Sequence, residues 1–118
     1  MSSKSTIKEP IEFLLHILES INLIQTFTKG VKFEEFKLNI EKQDAVVRRF
    51  EIIGEASNNV AEKIKRDNPE LPWREMKAMR NFISHEYFGV DFNDVWLAVK
   101  KSLPPLKKQV RALIKELK

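Results

Sequence analysis

The 118-residue chain contains no cysteine. Disulfides and thiolate metal sites are excluded, and a reducing compartment costs the protein nothing. Histidine occurs twice, as His16 and His85, too far apart in sequence to form a His-Glu-x-x-His zinc pattern. EF-hand and P-loop patterns are missing too, and no Gly-x-Ser-x-Gly elbow offers a serine nucleophile. There is no low-complexity stretch and no internal repeat. The apolar residues that follow the N-terminus are broken by Glu12, His16 and Glu19, so neither a signal peptide nor a membrane span is read there. The default address is the cytoplasm. No segment alternates with period two over a useful length, and no hairpin dipeptide separates two apolar runs, which argues against a sheet.

What is present has helical periodicity. Ile11, Leu14, Leu15, Leu18, Ile21 and Leu23-Ile24 recur at three- and four-residue spacing behind Pro10, and Gly30 is the expected stop. A short helical turn is expected over Phe33 to Asn39. A long helix is predicted from about Glu41 to Arg66, with Ala45, Val46, Arg49-Phe50, Ile53, Ala56, Val60 and Ile64 on its stripe. Gly54 falls in its middle, where glycine is unfavourable by about 1 kcal/mol relative to alanine. A small residue at such a place lets another backbone approach. The run Asp67-Asn68-Pro69-Glu70-Leu71-Pro72 breaks the pattern, and a helix restarts near Trp73 and ends around Tyr87–Gly89. Asp91 is the expected cap of a last helix, which Pro104-Pro105 must kink or split. These elements predict an all-α, antiparallel bundle of four or five helices, with residues 1–118 forming one domain. So small a chain leaves part of its apolar surface for a partner to cover.

The charge is lopsided. Seven basic residues and one acid, Glu116, lie between Lys100 and Lys118, so this tail carries +6 of a net +4 and the rest of the chain −2. Such a tail can meet nucleic-acid phosphates or simply keep the surface solvated, and charge alone does not choose between them.

The candidate chemistry lies in Met79-Arg80-Asn81-Phe82-Ile83-Ser84-His85-Glu86-Tyr87. Arginine grips phosphate bidentately, and histidine moves protons near neutral pH. Residues five apart on a helix point about 140° from each other. Arg80 and His85 therefore converge only if the helix end is distorted or a second copy of the chain completes the site. The same residues also make a plausible structural network. His16, beside Leu15 and Ile17, is read as structural or at the solvent edge.

Arg80, four residues, His85, one residue and Tyr87 match the Arg-x4-His-x-Tyr motif of the HEPN superfamily, and the chain resembles its HepT-like toxins. Arg49-Phe50-Glu51-Ile52-Ile53-Gly54-Glu55-Ala56 resembles the family's second signature helix. Pro72-Trp73, and Leu103-Pro104 after Val95-Trp96, fall in the family's usual order. The resemblance implies a helical bundle that dimerises and acts as a metal-independent endoribonuclease without a cofactor. It also implies an MntA-type nucleotidyltransferase antitoxin that transfers AMP to Tyr87. Within it His85 transfers protons, Arg80 binds the phosphate and transition state, Asn81 orients, and Tyr87 contacts RNA and serves as the switch. The competing reading is a non-catalytic HEPN module that binds nucleotide or the nucleotidyltransferase.

Overall fold

Leu14, Ile17, Ile21 and Ile24 are fully buried in the computed structural model, which describes residues 10–82 and 91–118. They form the inner stripe of α1 (Glu12–Thr28). Its stop is where the sequence places it: Lys29 turns extended, and Gly30 takes φ +72°, a left-handed conformation that glycine adopts without a Cβ penalty. Helix α2 (Phe33–Phe36) is one turn long, and Glu35 Oε1 accepts from the backbone N–H of Lys32 at 2.8 Å. Helix α3 (Ile40–Asn59) starts on Asn39, whose side-chain oxygen accepts from the Lys42 N–H at 2.9 Å.

The long helix predicted to reach Arg66 is instead two. Val60 and Ala61 are extended, and α4 (Glu62–Asp67) restarts beyond them. Val60 and Ile64 both remain buried, so the break re-aims the chain without releasing its apolar stripe. The Val60 N–H donates to the Ser57 carbonyl, one of the backbone oxygens that the ended helix leaves open, and Asn59 Nδ2 adds a bond to the Glu55 carbonyl. Beyond Asn68, the Trp73 indole N–H donates to the Asn68 carbonyl at 2.9 Å and pins the turn into α5 (Trp73–Ala78).

Helix α5 tightens into a 3-10 turn over Met79–Phe82. Helix α6 (Phe92–Leu97) begins on Asp91, which accepts from the Asn93 N–H at 2.9 Å. A π turn over Ala98–Ser102 then leads into α7 (Leu103–Leu117). The split expected at Pro104-Pro105 takes this form: the Leu103 N–H reaches back five residues to Ala98, and the two prolines sit in the first turn of α7, where missing donors are tolerated.

One apolar cluster joins these elements. It takes Phe36 from α2, Val46, Phe50 and Ile53 from α3, Ile64 from α4, Met76 from α5, Val95 from α6, and Leu103, Leu106 and Val110 from α7 around the α1 stripe. Helices α3 and α7 both pack on α1. At one end the Phe36 ring meets Trp96 and Phe92, with centroids 4.9 and 6.0 Å away. The described residues thus form the all-helical bundle expected, with no strand. No described helix is long and apolar enough to cross a membrane.

Candidate functional site

The motif begins at the end of α5, and α3 sets its place. Met76 and Met79 are buried and turn one side of this segment into the core. Phe82 stands edge-on to Phe50 of α3, with centroids 5.1 Å apart and planes at 75°. Edge-to-face pairs of this kind add about 0.5–1.5 kcal/mol to the burial of the rings.

Between these anchors lies Gly54. A Cβ on residue 54 would stand 2.8 Å from both the Cβ and the backbone nitrogen of Arg80, and 3.1 Å from the Lys77 carbonyl oxygen. The mid-helix glycine therefore has a specific neighbour, the backbone of the motif arginine. Ser57 Oγ donates to the Gly54 carbonyl at 2.9 Å, so the helix is tied together where it carries no side chain. Arg80 is held at its backbone against α3 while its side chain is exposed, and Asn81 follows on the exposed side of the same turn.

Over Met79–Phe82 a 3-10 turn replaces α geometry, and the expected convergence of Arg80 and His85 falls outside the described residues. His85 and Tyr87 lie outside the described residues. His16 is exposed on α1, its ring tilted 49° to Phe13 at 6.4 Å, consistent with a residue at the solvent edge. Among the described residues no three histidines or carboxylates gather in a way that could hold a metal ion. The brace between Phe50 and Phe82 is absent from the sequence reading. Its available signal is Phe50 four residues before Gly54, a large and a small residue on one helix face, opposite a segment carrying Phe82 two residues after Arg80.

The family model described as ribonuclease HepT-like matches residues 17–113. A probable ribonuclease HepT from Thermococcus cleftensis is 46% identical over 104 residues, covering 88% of this chain and 94% of the relative. A candidate RNase from Caldanaerobacter subterraneus is 36% identical over 109 residues, covering 92% and 97%. A longer protein of Methanocaldococcus jannaschii, named as a gamma-glutamylcyclotransferase and candidate RNase, is 42% identical over 105 residues, which make up 89% of this chain and 47% of that protein. No solved structure matches the chain. With the family model spanning most of the sequence, from within α1 to within α7, the chain belongs to the HepT-like family of HEPN proteins.

Proposed function

We propose that this chain is a metal-independent endoribonuclease, the toxin of a type VII-like toxin–antitoxin pair, which cuts RNA through Arg80 and His85 at a homodimer cleft. The observation that carries the reading is an exposed Arg80 with its backbone seated on Gly54, in a chain matched by the HepT-like family over residues 17–113.

RNA contains its own nucleophile. In a metal-free reaction the 2′-hydroxyl attacks the adjacent phosphorus, the new O2′–P bond forms, and the P–O5′ bond breaks. The products are a 2′,3′-cyclic phosphate and a 5′-hydroxyl. The reaction needs a base for the 2′-proton, an acid for the departing 5′-oxygen and cationic help at the phosphorane. Each chain has one motif histidine, and a two-fold dimer with facing motifs has two, together with two arginines. In this scheme His85 transfers the protons, Arg80 binds the phosphate as charge develops, Asn81 orients it, and Tyr87 stacks on or hydrogen-bonds the RNA.

Control follows from Tyr87. AMP placed on its hydroxyl by a nucleotidyltransferase antitoxin adds a negative phosphate and a bulky nucleoside where RNA must lie, and so blocks cleavage. The test is cleavage of labelled RNA with chelator present. The parent should cut, and Arg80→Ala and His85→Ala should each abolish cutting with the helical circular dichroism spectrum intact. Full activity in either variant refutes the site. Well-folded parent protein that binds RNA without cutting it supports the non-catalytic module instead.

A further inference from the structure

Away from the motif, α7 turns a row of cations to solvent. Lys108, Arg111, Lys115 and Lys118 are all exposed. At 100° per residue they fall within an arc of about 80°, spread over about 15 Å of helix. None of the four has an ion-pair partner among the described residues. Three of them, Arg111, Lys115 and Lys118, line a groove of about 410 Å³ between α7 and the first half of α1, and among the described residues no acidic side chain lines it. Two acids near the row, Glu70 and Glu116, line a separate groove, and Lys115 lines both.

We infer that this row is a second RNA-contacting surface, which holds the phosphate backbone of a single strand along α7 while the Arg80 motif acts on it elsewhere. The inference rests on the ribonuclease reading only for its choice of polyanion. A row of cations with no ion-pair partner among the described residues suits a chain of repeating phosphates. The groove is poorly made for a protein helix. Among the described residues it contains no aromatic anchor, Ile114 is buried, and its exposed apolar surface is limited to Leu15, Ala112 and part of Leu18. Backbone tracking needs none of these, because affinity comes from counterion release at the phosphates. Lys107, next to the row, is turned inward and donates to Gln25 Oε1 at 3.2 Å, which fixes α7 against α1 and holds the row in register.

The test separates binding from cutting. A fluorescein-labelled RNA of about 12 nucleotides, within the range of single-strand site sizes, is made with 2′-O-methyl riboses so that the attacking hydroxyl is absent. Its affinity for the full chain is measured between roughly 50 and 200 mM salt. In Arg111→Gln/Lys115→Gln/Lys118→Gln the slope of log affinity against log salt should shrink by about 2, at about 0.7 for each single-strand phosphate contact. Low-salt affinity should fall by about tenfold or more. Lys29→Gln/Lys32→Gln/Lys37→Gln, with the same charge loss at the far end of α1, should bind as the parent does. Unchanged binding in the α7 variant overturns the inference, as does equal loss in both variants, which marks net charge alone. Poly-glutamate competing as well as RNA, with the same residue dependence, overturns it in favour of an acidic protein partner. If unmodified RNA is not cut while the α7 dependence of binding holds, the ribonuclease reading fails and this surface stands. If cutting holds and the α7 variant binds normally, this surface alone fails.

Discussion

A methyl group added to residue 54 meets backbone rather than the yielding end of a side chain. Alanine there gains up to about 1 kcal/mol in helix propensity and loses about 1–3 kcal/mol to overpacking. Because the struck atoms are the Arg80 nitrogen and Cβ and the Lys77 carbonyl oxygen, the loss should prevail. Gly54→Ala is expected to destabilise the fold by about 1–2 kcal/mol in urea denaturation and to lower RNA cleavage by displacing Arg80. Glu55→Ala, at the exposed neighbouring position, should change stability by less than about 0.5 kcal/mol. Equal behaviour of the two variants would show that the close approach is not tight. At Tyr87 the expectation concerns control. Tyr87→Phe keeps the ring and removes the hydroxyl that accepts AMP, so cleavage should persist while neutralisation by the nucleotidyltransferase with ATP is lost. Mass spectrometry of the co-expressed wild-type pair should place AMP on Tyr87, and modification elsewhere would refute the switch.

Among the elements, the segment from α5 through Phe82 depends on its aromatic brace. Phe82→Ala should cost about 2 kcal/mol, less than a fully buried phenylalanine because Phe82 is only partly buried. It should also reduce cleavage, since the turn that carries Arg80 then loses an anchor two residues away. Stability unchanged within about 0.5 kcal/mol would argue that Met76 and Met79 hold the turn alone. The same elements show what periodicity can and cannot reveal. The α1 stripe, the Gly30 stop and the Asp91 cap were legible because each depends on residues close together in the chain. The break at Val60-Ala61 was not, because Ala56, Val60 and Ile64 continue the four-residue spacing straight across it. The 3-10 turn was hidden for a similar reason, since four residues are too few to separate a period of 3.0 from one of 3.6. Arg80 and Asn81 could be read as part of a motif, and Gly54 as a point of close approach. That the two meet could not be read, because contact between separate helices leaves no local pattern.

For the whole molecule, one histidine per motif in a reaction with two proton transfers predicts a homodimer. Sedimentation at tens of micromolar, a range that reports modest affinities, should show twice the chain mass, and a monomer throughout would count against a shared cleft. A further consequence arises from the π turn. From Phe92 to Leu117 the helical turns follow one another without a gap, a rod with a contour of roughly 39 Å at about 1.5 Å per residue. Near its middle the rod has two prolines that donate no backbone bond and a turn that is wider than its neighbours, so this is its softest joint. The segments on either side are clamped separately, one through Trp96 to the rings of α2 and the other through α7 to α1. Bending should concentrate at the joint, and amide hydrogen exchange along the rod should be fastest around Ser102 and slower toward Val95 and Val110. A load on α7, such as a strand of RNA, is then taken up as a change of angle at this joint, while the aromatic end and the packing of α7 on α1 stay as they are.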